Sequence, residues 1–148
     1  MIAQIKQAAQ QAGITAIITN SDSKIESQLN RITDLSDLPI MLISWDLTSS
    51  YEFDQNGFLK NPTTPVVCLV MSKAESVEKQ DMEDKAEEMR ELFITFIQSL
   101  YKILMPFNKD SSTPVLSQIN TKLIPKHGLG KHSGILGRFT MKSEITNC

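Results

Sequence analysis

A helical repeat of apolar residues dominates the middle of the chain. Between Lys79 and Leu104, apolar residues recur every three or four positions, and charged residues fill most positions between them as far as Glu91. This spacing predicts one long amphipathic helix, because residues three and four apart share one side of a helix. Pro106 ends it, since proline lacks the N–H of the next helical hydrogen bond. We expect its apolar side to cover a sheet through Met82, Ala86, Met89, Phe93, Phe96, Ile97, Leu100, Ile103 and Leu104.

Shorter patterns before the long helix predict two short helices and three strands. Apolar residues at helical spacing predict a short helix over residues 2–12, which Gly13 ends. Apolar and β-branched runs predict strands at 14–19, 40–45 and 66–71. The last two runs are nearly all apolar, which is typical of strands covered on both faces, or on one face with a subunit on the other. Ser23 and Glu26 resemble a helix-capping pair and predict a further short helix over 23–31.

Two alternating segments after the long helix predict a closing hairpin. Val115, Ile119, Thr121 and Leu123 fit one face of a strand, and a loop over 125–134 leads to a last strand over 135–145. The whole pattern predicts a single α+β domain over residues 1–148. Its mixed or antiparallel sheet has about five strands, covered by the long helix and the short N-terminal helix, in the order α-β-(α)-β-β-α-β-β.

A long excursion, residues 46–64, separates two of the buried strands. Its Asn56-Gly57 pair is a strong tight-turn signal, so we expect a partial hairpin. The aromatics Tyr51, Phe53 and Phe58 form an exposed interaction surface or a small cluster packed back on the domain, and the pattern leaves both open. A long connection inside a small domain is more often functional than idle.

Composition and charge narrow the class of protein. With 148 residues, 41% apolar residues and two cysteines, the chain suits one globular domain without a disulfide framework. No apolar run approaches the roughly 18 residues of a membrane span, and the first residues lack a signal-peptide pattern, so we expect a cytoplasmic protein. Sixteen acidic and ten basic residues precede position 111, against one acidic and five basic residues after it. The basic tail indicates an anionic partner, or packing against the protein's own acidic helix or a neighbouring subunit's.

The basic, glycine-rich loop that contains Lys126, His127, Lys131 and His132 does not fit a common chemical motif. A phosphate-binding loop needs a glycine where Pro125 stands and a serine or threonine where His132 stands. Two histidines fall short of the three or four ligands of a zinc site. The carboxylates Asp46, Glu52 and Asp54 have only their acidity in common. The sequence therefore predicts no catalytic residues, no cofactor and no metal.

The order of elements and the C-terminal residues resemble a known family. A turn with Gly128 and Gly130 leads into a last strand that runs from Gly134 through Gly137 and Arg138 to Lys142. This segment resembles the glycine-rich turn and amphipathic last strand of phage tail-terminator and tail-completion proteins, which prophages and conjugative elements also carry. The predicted layout of helices and strands is similar to theirs along nearly the whole chain.

The resemblance implies a structural protein of the host cytoplasm and the tail, with no catalysis. Such proteins form rings, commonly hexamers, that cap the tail tube and meet head-completion proteins, and a basic loop lining a DNA passage is compatible with this. The predicted interface residues are Lys126, His127, Lys131, His132, Arg138, Tyr51, Phe53 and Phe58. Two alternatives stay open: a small enzyme or ligand-binding domain with its site near 126–138, and an adaptor that binds a protein through residues 46–64.

Overall fold

The described part of the chain alternates helices and strands around one sheet. The computed structural model describes residues 2–19, 39–45, 50–53, 55–108, 114–124 and 132–142. The elements are α1 (Ile2–Gln11), β1 (Thr15–Thr19), β2 (Ile40–Trp45), β3 (Ser50–Phe53), β4 (Leu59–Lys73), α2 (Lys79–Leu104), a 3-10 turn (Met105–Phe107), β5 (Leu116–Ile124) and β6 (His132–Lys142). This confirms the α+β class, the long helix and the short N-terminal helix. The helix predicted over 23–31 lies outside the described residues.

Four neighbouring strands, β2, β4, β6 and β5, form an antiparallel sheet, and β1 adds to β2 in parallel. The strand β3 pairs with β4 off this path, so the described residues contain six strands where the sequence predicts about five. Two boundaries also differ from the prediction. The strand β4 begins at Leu59 and not near residue 66, and β6 begins at His132 within the predicted loop.

The long helix α2 packs across the sheet through a cluster of three phenylalanine rings. The ring centroid of Phe93 lies 6.0 Å from that of Phe96 and 6.4 Å from that of Phe139 on β6, and all three side chains are buried. Gly137 lies beside this cluster on the same face of β6. A Cβ atom at Gly137 would lie 2.6 Å from the Phe93 ring, so the ring occupies the space that any larger residue would need.

The central strands are buried on both faces. Met41 and Ile43 of β2 belong to the cluster under the helices, whereas Leu42 belongs to a second cluster with Leu69 and Met71 on the opposite face. This arrangement explains the nearly continuous apolar runs in the sequence, because a strand with only one buried face alternates apolar and polar residues. Neither described helix is long and apolar enough to cross a membrane.

Replacing Phe93 with alanine should destabilise the protein by about 3–5 kcal/mol, because the change leaves a cavity between α2 and the sheet. The free energy of unfolding from denaturant titration measures this loss. Ile94→Ala is the matched control: Ile94 is the next residue on the helix but is 46% exposed, so its replacement should cost less than about 0.5 kcal/mol. Equal losses for the two variants would mean that the buried side of α2 is wrongly assigned.

Gly137→Ala should cost about 1–3 kcal/mol, because the new methyl group overlaps the Phe93 ring. The double variant Gly137→Ala/Phe93→Leu should lose less stability than the two single variants together, since the shorter leucine vacates part of the space. If the losses in the free energy of unfolding are strictly additive, the steric contact between residue 137 and the Phe93 ring is not what destabilises the Gly137→Ala variant.

Candidate interaction surfaces

The first candidate surface is a hairpin that extends beyond the sheet. We call β3, the turn after it and the start of β4 (residues 50–53 and 55–62) the aromatic arm. Towards the start of β4, the pairing with β2 ends at Val66 and the pairing with β6 ends at Thr63. From Thr63 back to Leu59, β4 pairs with β3. Residues 59–62 therefore extend roughly 13 Å past the end of the main sheet, at about 3.3 Å per residue.

Three aromatic side chains lie at the surface of this arm. Tyr51 is 57% exposed, Phe53 is 74% exposed and Phe58, after the turn, is 68% exposed. The turn contains Gly57 with a φ of 83°, a backbone conformation that glycine adopts without strain. The sequence leaves open whether these aromatics are exposed or packed back on the domain, and in the structure they are exposed. Exposed aromatic side chains are enriched at binding surfaces.

A bulge in the edge strand β5 creates the second candidate surface. Ser117 pairs with Thr140 and Asn120 pairs with Arg138. The two residues Gln118 and Ile119 therefore lie opposite one residue of β6, Phe139. Gln118 has a φ of 53°, and its side-chain carbonyl oxygen accepts a hydrogen bond from the Thr140 hydroxyl, 3.1 Å away. Bulges bend a strand and turn its side chains away from the regular alternation.

The predicted apolar face of β5 is largely exposed, because β5 is the edge strand of the sheet. The sequence places Ile119 and Thr121 on one face with Val115 and Leu123, but the structure leaves Ile119 47% exposed and Thr121 exposed. The extra residue interrupts the alternation between Ser117 and Asn120, so Leu116 and Ile119, three positions apart, both line the side next to α2. Ile119 therefore lies beside the helix at the surface of the protein instead of in the core.

Ile119 forms one wall of an open, mostly apolar groove between α2 and β5. We call it the helix–strand groove; its volume is about 510 Å³, and it is lined by Ile97, Gln98, Tyr101, Lys102, Leu116 and Ile119. Tyr101 is nearly half exposed, and so are Met105 and Phe107 just beyond the groove. Its volume lies within the range of roughly 300–1,000 Å³ that is common for ligand clefts, although this groove is open to solvent.

The outer side of α2 changes character along its length. Its first half carries acidic residues, three of which form ion pairs: Lys79 with Glu83 at 3.9 Å, Lys85 with Glu88 at 2.8 Å and Arg90 with Glu87 at 2.6 Å. Its second half instead exposes Ile94 and Tyr101, and the exposed Met105 follows in the 3-10 turn. Sequence reasoning missed this surface, although the signal is present: these three residues are seven and four positions apart, off the core side of the helix.

The structure separates the predicted basic candidates. Lys126, His127 and Lys131 lie outside the described residues, and His132 is only 2% exposed at the start of β6. Arg138 is exposed, and it is a diagonal neighbour of the exposed Lys122 on β5. Lys142 is buried, with its Nζ donating a hydrogen bond to Asn108 Oδ1 at 3.0 Å. Arg138 is therefore the predicted basic residue that the structure places at the surface.

The reactive groups among the described residues are few. Burial raises the pKa of the Cys68 thiol, because a buried thiolate loses its hydration. Of the three carboxylates noted in the sequence, Asp46 and Asp54 lie outside the described residues. No group of three or more histidine, cysteine, aspartate or glutamate side chains could hold a metal ion within the ranges that the structure describes.

Comparison with known proteins gives no family assignment. The sequence matches no protein-family model and no curated protein. The aromatic arm and the helix–strand groove are therefore the features from which a function can be argued.

The Cys68 thiol should react far more slowly than a free cysteine in the folded protein, because it is buried and protonated at neutral pH. A Cys148→Ser variant leaves Cys68 as the one thiol of the chain. A chromogenic disulfide reagent should then release almost no colour until denaturant is added. Rapid labelling without denaturant would mean that the interface between α2 and β4 opens readily.

Proposed function

We propose that this protein is a structural, ring-forming component of a phage tail, of the tail-terminator or tail-completion type. In this role it caps the tail tube or joins the tube to the head, and it has no catalytic activity. The layout of one long helix across a sheet, a hairpin and a closing strand pair supports the resemblance found in the sequence. The observation that carries the proposal is that one chain exposes two unlike apolar surfaces, the aromatic arm and the helix–strand groove.

Two unlike surfaces favour head-to-tail assembly. A two-fold dimer uses the same patch on both subunits, whereas a head-to-tail contact joins two different patches and repeats around a ring or along a filament. The arm extends from the β2 side of β4, and the groove lies at the β5 edge on the other side of β6. Both surfaces can therefore be engaged on each copy at the same time, which a closed ring requires.

The charge distribution supports a head-to-tail contact between copies and suggests further partners. Acidic residues lie on the first half of α2, while Arg138 and Lys122 are exposed on the closing hairpin. The sequence adds Lys126 and Lys131 to the basic side. We propose tail-tube and head-completion proteins as further partners, and a basic lining for DNA passage that weakens with salt. The protein would act in the host cytoplasm and in the assembled tail.

An adaptor that binds a different protein is the second candidate, because the exposed aromatics of the arm would suit that role equally well. The two functions differ in what the pure protein does. A ring component associates with itself as its concentration rises, whereas an adaptor stays monomeric at every concentration.

Light scattering over a range of protein concentrations should reveal a discrete multimer, expected at about six times the 16.6 kDa chain. The apolar contacts should keep the multimer intact at moderate salt, since salt screens mainly the exposed charges. A mass of one chain at every concentration and salt would contradict the ring and favour the adaptor. A mass that grows without limit would indicate an open filament instead.

A further inference from the structure

We propose that the outer face of the closing hairpin, around Arg138 and Lys122, binds the acidic half of α2 of the next copy. This inference rests on the proposed ring and names one contact in it. The partner of this face is thus a second copy of the chain and not a nucleic acid. We call Arg138 and Lys122 the cationic pair, and the exposed Asp84, Glu88 and Glu91 of α2 the acidic stripe.

The cationic pair lies on the face of the sheet that α2 does not cover. Gly137 and Phe139 pack beside the Phe93 ring of α2, so Arg138 between them points to the opposite face, because side chains alternate along a strand. Lys122 pairs with Leu136, which packs on the second apolar cluster of that opposite face. Both described helices pack on the first cluster. Since both cations are also exposed, a partner can reach them.

The neighbours of the cationic pair within the sheet are uncharged. Arg138 lies opposite Asn120 on β5 and Val67 on β4, and Lys122 lies opposite Leu136. None of the ion pairs between described residues includes either cation. This face therefore presents two positive charges that the described part of its own chain does not compensate.

The first half of α2 carries the opposite charge in excess. The chain has eight acidic and three basic residues between Glu75 and Glu91. Each of the three basic residues forms an ion pair within the helix, so the other carboxylates are not neutralised there. The residues of the acidic stripe are four and three positions apart and share one side of the helix. That side faces away from the sheet, because Ala86, Met89 and Phe93 on the other side are buried.

The fold makes this a contact between copies. In one chain the helix and the sheet both lie between the acidic stripe and the cationic pair, so the two surfaces cannot meet. Between copies, each chain presents its helix to one neighbour and its hairpin to the other, which is a head-to-tail arrangement. Complementary charges speed the encounter of such surfaces and disfavour wrong orientations.

Apolar side chains beside the charges supply affinity, which exposed ion pairs alone provide only weakly. Ile94 lies three positions after Glu91 and is 46% exposed, so it is a neighbour of the acidic stripe on the helix surface. On the sheet face, Leu136 precedes Arg138 by two positions and is only partly buried. A protein surface can use both kinds of contact, whereas a phosphate backbone uses the cations alone. The mixed surface therefore favours a second copy over a nucleic acid.

Charge reversal on the two surfaces, separately and in a mixture, tests this contact. One variant carries Lys122→Glu/Arg138→Glu, and the other carries Asp84→Lys/Glu88→Lys/Glu91→Lys. Each alone should need at least about tenfold more protein than the wild type to assemble, because like charges then meet at the contact. An equimolar mixture should assemble at the wild-type concentration, since each helix can bind a hairpin of opposite charge in alternating copies. Light scattering measures all three samples.

The control for Arg138→Glu is Lys6→Glu, which makes the same change of charge at an exposed position of α1, outside both surfaces. It should assemble like the wild type, and circular dichroism checks that every variant is folded. If the wild type assembles but the reversed variants assemble equally well, or the mixture is not rescued, this contact is wrong and the ring stands. If the wild type does not assemble at any concentration, both proposals are wrong.

Discussion

The packing of Phe93 and Phe96 against Phe139 fixes the long helix on the sheet, and the exposed surfaces depend on it. The absence of a side chain at Gly137 lets the Phe93 ring approach the strand. This contact sets the rotation of α2 about its axis, so it also decides which residues are left on the outside. With Phe93 inward, Ile94 and Tyr101 must face outward, and the helix–strand groove follows from that orientation.

The strand β4 connects this core to the aromatic arm. Its second half lies in the middle of the sheet with both faces covered, and its first half carries β3 beyond the other strands. One continuous strand therefore gives the arm a rigid base, which lowers the entropy lost when the arm binds. Exposed aromatics on a rigid support are costly in water unless a partner covers them, and this is the physical argument for assembly.

The sequence predicts well the features that depend on local periodicity. The bounds of α2 and its core side follow from apolar spacing and from Pro106, because both act within a few residues. The bulge at Gln118 does not follow, since pairing with β6 decides it and not the residues of β5 alone. The exposure of Tyr51 and Phe53 could not be predicted either, because alternation places two side chains on one face without telling whether another element covers that face.

The charge distribution of the surface is predictable only in part. The sequence reveals the split between an acidic first part and a basic tail, but not which cations reach the surface. Arg138 does, while His132 is buried because β6 begins earlier than the pattern predicts. The prediction from the sequence did not include Ile94 and Tyr101, although they form a second, shorter apolar stripe on α2. Of the two apolar sides of α2, one packs on the sheet and the other is exposed.

Electron microscopy of the concentrated protein would decide whether it forms a head-to-tail ring, since images report the symmetry of the contact as well as its existence. We expect annular particles with rotational symmetry, in which every copy contacts its two neighbours through different surfaces. Closed two-fold dimers, in which the two aromatic arms pack against each other and the helix–strand grooves stay empty, would contradict this expectation.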